Sequence, residues 1–187
     1  MKKITAIILA GGKSSRMGTD KGFLTLNNKW FVQHIIDAAK PLVNDFIIVS
    51  DDNEYDIFNY NRITDCIKEA GPLAGIYTGL KHTKTNYNLV LSCDIPLINS
   101  TVLNKLIDAM DDCSEVIQIE SLGRTMPLIA LYKKQCEHKF LELLNQGERR
   151  LQYAVNHCQF KNVVIENEKA MFTKNINTPK ELNEITE

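Results

Sequence analysis

The chain carries almost no net charge: 22 lysines and arginines stand against 23 aspartates and glutamates over 187 residues, leaving −1. No global basic field is available to attract nucleic acid, so any anion must be held locally. No apolar run approaches the roughly 20 residues that a membrane-spanning helix needs. Met1-Lys2-Lys3 followed by Ile4–Ala10 imitates a secretory leader only faintly. Its apolar stretch is short and runs into Gly11-Gly12-Lys13 with no small-residue cleavage site. Cys66, Cys93, Cys113, Cys136 and Cys158 lie at least twenty residues apart, and the four histidines form no cluster. Metal-ligand and redox-motif spacings are thereby excluded, which leaves reduced, mostly buried thiols in a cytoplasmic protein. Internal repeats, low-complexity segments and linkers are missing too. The apolar share of 44% and charged share of 24% are ordinary for a globular chain. A single domain over residues 1–187, long enough to bury a proper core, is expected.

What is present is alternation. Residues 3–9 read as a strand buried on both faces. Residues 31–40 read as a helix with Val32, Ile35, Ile36 and Ala39 on one side. Residues 46–50 form a second strand, and 72–82 a helix opened by Pro72. Residues 87–92 are a strand ending at Cys93-Asp94, and 101–110 a helix with Leu103, Leu106, Ile107 and Met110 inward. Strands follow at 115–119 and 128–132, with Arg124 in the hairpin between them. A helix over 135–146 is closed by Gly147. A last strand is expected at 163–166, and Thr178-Pro179-Lys180-Glu181 opens a final helix with a capping box. The polar stretch 51–61 suits a loop or a short helix. Alternating strands and helices imply an α/β fold: a mostly parallel sheet covered on both faces.

In such a sheet, ligands bind beyond the carboxyl ends of the strands. There, directly after the first strand, stands Leu9-Ala10-Gly11-Gly12-Lys13-Ser14-Ser15-Arg16-Met17-Gly18-Thr19-Asp20-Lys21-Gly22. Two familiar phosphate loops fail on spacing. Gly12 and Gly18 are separated by five residues and Gly18 is followed by Thr19, which is not a P-loop. Gly11-Gly12-Lys13-Ser14-Ser15-Arg16 is not the dinucleotide fingerprint. The chemistry still favours phosphate. Gly11 and Gly12 let backbone N–H groups approach an anion. Arg16 offers a planar fork, and Lys13 and Lys21 offer point charges. A solvated basic turn is the competing reading of the loop taken alone.

The stretch Leu-Ala-Gly-Gly-x-Ser-x-Arg-Met-Gly-x-Asp-Lys resembles the opening of the nucleotidyltransferases with a Rossmann-like fold, and in particular the molybdenum cofactor guanylyltransferases. The resemblance continues, in order, through Gly71-Pro72-Leu73-Ala74-Gly75, Cys93-Asp94-Ile95-Pro96, Gly147-Glu148-Arg149-Arg150 and Asn175-Ile176-Asn177-Thr178-Pro179. It implies a three-layer fold and transfer of GMP from GTP to the terminal phosphate of molybdopterin or its molybdate form, with pyrophosphate leaving. Transient contacts with other cofactor-assembly proteins or with molybdoenzymes belong to the same expectation.

The resemblance also implies a site. Leu9, Ala10, Gly11, Gly12, Lys21, Ser50, Asp65, Gly75 and Asp94 are expected at the nucleotide, with Arg16, Lys21 and Asp94 central to catalysis. Asp94 follows an apolar strand, and a carboxylate there is a natural ligand for Mg²⁺, with Mn²⁺ as substitute; a turn or cap before Pro96 is the plainer alternative. Asn175 and Asn177 match asparagines near the metal and the α-phosphate. Asp65 can accept from the guanine edge or from ribose. Ser50 stands where the family can carry asparagine, and its hydroxyl can still bond base or ribose. Arg149 and Arg150, read as sitting in the first turn of a helix, are expected on the pterin side, with a solvated basic turn as the alternative and Arg124 nearby; Met126 replaces a histidine common in the family.

The nucleophile in such a reaction is already an anion, so the demand is for positioning and charge neutralisation rather than a strong base. No Ser-His-Asp or Cys-His set is needed. Leu-Ala-Gly-Gly looks like the guanylyl branch, whereas Leu-Ala-Ala-Gly goes with a cytidylyl rival. A sugar-1-phosphate nucleotidyltransferase would usually be longer. A non-catalytic nucleotide-binding module would lack the carboxylate at position 94.

Overall fold

The computed structural model describes residues 2–11 and 20–185. Gly12, Lys13 and Arg16 of the opening loop lie outside them. Strand β1 (Ile4–Leu9) is followed by a short hairpin, β2 (Thr25–Leu26) and β3 (Lys29–Trp30), and by helix α1 (Phe31–Ala39). Then come β4 (Asp45–Val49), a 3-10 helix at Asn53–Phe58, β5 (Asn61–Ile63), α2 (Gly71–His82), β6 (Tyr87–Ser92) and α3 (Ser100–Asp108). The second half holds β7 (Val116–Ser121), β8 (Arg124–Lys133), α4 (Cys136–Asn145), α5 (Leu151–Asn156), β9 (Phe160–Ile165), a 3-10 helix at Asn167–Thr173 and α6 (Pro179–Asn183).

Seven strands make one sheet in the order β5-β4-β1-β6-β8-β7-β9. β1 runs parallel to both β4 and β6, β4 parallel to β5, and β7 parallel to β9. β8 is antiparallel to β6 and β7. The reason is local: Leu122 and Gly123 both take positive φ (50° and 72°), the geometry of a tight hairpin, so β8 must return beside β7. The chain builds outward from β1 through β4 to β5, then crosses back to place β6 on the other flank of β1. The order therefore reverses between β1 and β6, and a crevice opens at the carboxyl ends of those two strands.

Residue alternation sets the three layers. Ile4, Ala6 and Ile8 of β1 face one core with Val32, Ile35 and Ile36 of α1 and Val102, Leu103 and Leu106 of α3. Ile7 faces the other core with Leu73, Ile76 and Leu80 of α2, Phe140 of α4 and Ala154 of α5. β1 is thus buried on both faces, as its unbroken apolar run requires. The expected face of α1 is the buried one, extended by Phe31 and Ala38. Burying each of its large apolar side chains is worth about 1.5–3 kcal/mol. Helix α3 is capped by the Asn99 side chain and stops earlier than its apolar pattern suggests. It ends at Asp108, and Ile107 and Met110 are only partly buried.

Candidate functional site

Four described chain segments leave the sheet at its carboxyl end. Ala10 and Gly11 follow β1, Ser50 follows β4, Asp65 lies just past β5, and Asp94 lies just past β6. Two backbone bonds prolong the sheet there: Ala10 N–H donates to Val49 O (3.0 Å) and Cys93 N–H to Leu9 O (3.2 Å). Gly11 takes φ +155°, and a Cβ built on it would stand 3.9 Å from Ser50 Oγ, so these two expected nucleotide residues are neighbours. Gly75, on α2, brings its helix close to the end of β1: a Cβ there would lie 3.2 Å from Leu9 Cδ2.

Asp94 is the centre of the arrangement. It is buried, with its side chain 12% exposed. Ser92 Oγ donates to its Oδ1 at 2.6 Å, and Asn175 Nδ2 donates to its Oδ2 at 3.2 Å. Lys21 Nζ lies 3.5 Å from the same Oδ2 and also donates to Asn177 Oδ1. Lys21, Asp94, Asn175 and Asn177, far apart in sequence, therefore meet at one point. The two asparagines are held from both sides. Ile176 between them is fully buried beside Leu26 and Phe31, and its N–H donates to Asp94 O at 2.8 Å. After it, the capping box of α6 fixes the chain: Glu181 Oε2 accepts from the N–H groups of Asn177 (2.7 Å) and Thr178 (2.9 Å). Those bonds, the Asn177 N–H foremost, lower the carboxyl pKa of Glu181. Behind Asp94, burial pushes the Cys93 thiol up to about 12, so it stays a neutral packing group.

Asp65 is set by a different neighbour. Its Oδ1 accepts from Thr78 Oγ1 on α2 at 2.8 Å and from Ile67 N–H at 3.2 Å. Thr78 is fully buried and also accepts from Cys66 N–H at 3.0 Å. Asp65 N–H in turn donates to Asp51 Oδ1 at 3.3 Å. Asp51 pairs with Lys68 at 2.6 Å, and that hydrogen bond lowers the Asp51 pKa. Ser50 Oγ accepts from Asp52 N–H at 3.1 Å.

Arg149 and Arg150 behave otherwise. They precede α5, which starts at Leu151, so they do not stand in its first turn as the sequence suggests. Gly147 (φ +85°) ends α4, and Arg149 Nη1 donates to Leu144 O and Glu148 O, both at 2.9 Å. The arginine thus satisfies a carbonyl at the C-terminal end of α4, where a cation is favoured. Arg150 pairs with Glu148 at 2.6 Å, which chiefly accounts for the depression of the Glu148 carboxyl to about 2. Antiparallel β8 begins beyond the end of β6, and Thr125 Oγ1 donates to Gln152 Oε1 at 2.9 Å. The corner therefore stands at the same end of the sheet as Asp94. Arg124 is exposed at the hairpin tip.

Ser92 and Thr78 are not among the residues that the sequence singles out. A hydroxyl residue two positions before Asp94, at the last place of a buried strand, is the available signal for Ser92. Thr78 carries none, because its partner is thirteen residues away on another element. Cys66 and Cys113 are exposed, while Cys93, Cys136 and Cys158 are buried. Among the described residues no helix is long and apolar enough to cross a membrane, and no three histidine, cysteine or acidic side chains gather as a metal cage.

Residues 6–159 match the family model of the MobA-like NTP transferase domain. A protein of Flavobacterium johnsoniae described as a probable molybdenum cofactor guanylyltransferase is 35% identical over 185 residues, covering 99% of this chain and 97% of that one. The molybdenum cofactor guanylyltransferase of Vibrio vulnificus is 31% identical over 94% of this chain and 91% of its own. The crystal structure of molybdopterin-guanine dinucleotide biosynthesis protein A from Archaeoglobus fulgidus superposes with a TM-score of 0.82 at 21% identity, covering 97% of this chain and 96% of that one, a likeness of fold. With a family match over most of its length and relatives above 30% identity across nearly all of it, the chain belongs to the MobA-like NTP transferase family.

Proposed function

We propose that this protein transfers GMP from GTP to the terminal phosphate of molybdopterin or its molybdate form, releasing pyrophosphate and forming a guanine dinucleotide cofactor. The convergence of Lys21, Asp94, Asn175 and Asn177 at the crevice between β1 and β6 carries this reading. A phosphate oxygen of the acceptor attacks the α-phosphorus of GTP, and the bond from that phosphorus to the oxygen bridging the β-phosphate breaks. Lys21 binds the leaving pyrophosphate, assisted by Arg16 and by backbone N–H groups of Gly11 and Gly12. Leu9, Ala10, Ser50, Asp65 and Gly75 line the nucleoside end. Arg149, Arg150 and Arg124 face the pterin side.

Asp94, with Asn175 and Asn177 beside it, is the set that would hold Mg²⁺, or Mn²⁺ in its place. The donors fit: one buried carboxylate with amide side chains around it is an open set, and Mg²⁺ takes one or two carboxylates and completes its shell from phosphates and water. When bound, the ion supplies neutralisation of the triphosphate charge. Ser92 holds Asp94 in orientation through the oxygen that Lys21 does not approach. The chain acts as one catalytic domain, a reading supported by the seven-stranded sheet whose strands run from Ile4 to Ile165. It works in the cytoplasm, where its exposed Cys66 and Cys113 stay reduced, and hands its product to molybdoenzymes or to other assembly proteins.

The test is direct. Purified protein is incubated with molybdopterin or its molybdate form, a divalent cation and each nucleoside triphosphate in turn, and the dinucleotide is resolved by chromatography. GTP alone should give product. Equal use of CTP would replace the guanylyl reading by the cytidylyl one.

A further inference from the structure

Lys21 sits on a segment that is fastened to a distant part of the chain. It opens a single 3-10 turn, Lys21–Phe23, capped by Asp20, whose Oδ1 accepts from Gly22 N–H at 2.8 Å. The same oxygen accepts from the hydroxyl of Tyr55 at 2.5 Å. Tyr55 belongs to the 3-10 helix between β4 and β5 and is fully buried. Two further contacts close the join. The Phe23 ring lies against that of Tyr55, 4.6 Å between centroids, and Phe58 and Trp30 extend the aromatic cluster around Phe23. Gly22 rests directly on the tyrosine: a Cβ built there would overlap Tyr55 Oη and stand 2.9 Å from Cζ. Only glycine permits that approach.

The residue before Lys21, the one after it and the next are thus each held by Tyr55. The Lys21 Nζ points to Asn177 and Asp94 instead. Mutual orientation is what such a join controls, because a lysine carries its charge on a flexible four-carbon stem with no fixed fork of donors. We propose that Tyr55 is a positioning residue: through Asp20 and Gly22 it fixes the backbone of Lys21 so that the ammonium meets the nucleotide phosphates beside Asp94. Burial raises the Tyr55 pKa, so its hydroxyl remains a donor to Asp20 across the working pH range. The phosphate contact rests on the reading above; the backbone lock does not.

Two readouts separate them. Tyr55→Phe keeps the ring and removes the hydroxyl. Loss of a hydrogen bond to a carboxylate corresponds to about a tenfold effect or somewhat more. The kcat/KM for GTP should fall by about that factor while KM for the pterin substrate stays near wild type, and the thermal midpoint should drop modestly, because a hydrogen bond made only in the folded chain is lost. Without any nucleotide, tryptic cleavage after Lys21, followed by mass spectrometry of the fragment beginning at Gly22, should accelerate by a similar factor. Asp20→Ala should reproduce both changes in a chain with Tyr55 intact, each cleavage rate being taken relative to that of the same chain denatured. Wild-type cleavage rates in both variants would overturn the lock. Faster cleavage with unchanged GTP kinetics would overturn the positioning role while leaving the join in place. If Lys21→Ala also reacts like wild type, the fault lies in the assignment of Lys21 to phosphate.

Discussion

The candidate site residues on the two flanks of the sheet find their partners over very different reaches. On the β1–β4–β6 side, Asn175 reaches Asp94 across 81 positions of sequence, and Lys21 reaches Asn177 across 156. On the β7–β8–α5 side, Arg149 and Arg150 find their partners within five residues, at Leu144 and Glu148. Long-range polar contacts at a buried point have to be built by the fold as a whole. Short-range contacts at an exposed corner are turn chemistry, which any loop can make. The first cluster is therefore fixed by the fold, whereas the two arginines of the second are engaged locally.

The largest effect should come from the centre of the first flank. Asp94→Asn keeps an oxygen for Ser92 and should preserve the fold, yet lower turnover by about 10²-fold or more, as loss of a transition-state electrostatic group commonly does. Steady-state kinetics with a circular dichroism control would decide it. Activity should also vanish with EDTA and return with Mg²⁺ or Mn²⁺.

Next in size is Lys21→Ala. Removing a charge-assisted contact costs on the order of 1.5–3 kcal/mol, which should emerge as a loss of kcat/KM for GTP. Binding of GTP measured by calorimetry should weaken in parallel. A smaller, selective effect is expected for Asp65→Asn, about tenfold in the GTP-to-ATP ratio of kcat/KM, if the carboxylate serves the base. A uniform drop with all triphosphates would move it to the ribose.

The second flank should respond in stability rather than in GTP kinetics. Arg149→Ala removes a carbonyl partner at the end of α4 and should cost about 1 kcal/mol in urea unfolding. Its effect on catalysis should be confined to KM for the pterin substrate. The smallest effect belongs to Glu148→Gln, and it depends on pH. The folded carboxyl is depressed from 4.5 to about 2, so its contribution is present above pH 4.5 and lost as pH falls toward 2. The difference in thermal midpoint between wild type and variant should be slight at pH 7 and close over that window. A gap that persists at pH 2 would place the effect in packing instead.

How much of this is legible in the sequence depends on how far each residue reaches. β1, β6 and α1 follow from apolar periodicity alone, and β6 has the bounds its pattern implies. The position of Asp94 is legible because it stands just past an apolar strand, at the carboxyl end of the sheet. The capping box of α6 is readable in four consecutive residues. The β2–β3 hairpin escapes such a reading: its turn is Asn27-Asn28, both left-handed (φ 50° and 60°), and lacks the glycine that usually announces such a turn. Arg149 and Arg150 read as helical because Gly147 stands so close before the apolar Leu151. The competing factor is Glu148, whose carboxylate accepts the N–H groups of both arginines and holds them short of the helix. The meeting of Lys21 with Asn177 follows only from the family resemblance, since nothing local records which segments the sheet brings together.

The Asn175–Asn177 segment has a consequence for how damage to the molecule would show. The seven-stranded sheet is complete at Ile165, before the first of these asparagines, so the segment is laid onto the scaffold and is no part of it. Ile176 pins it there through its buried side chain and its N–H bond to Asp94 O. Scaffold and polar cluster are thereby separable: Ile176→Ala is expected to loosen the two asparagines from Asp94 while the sheet stays intact.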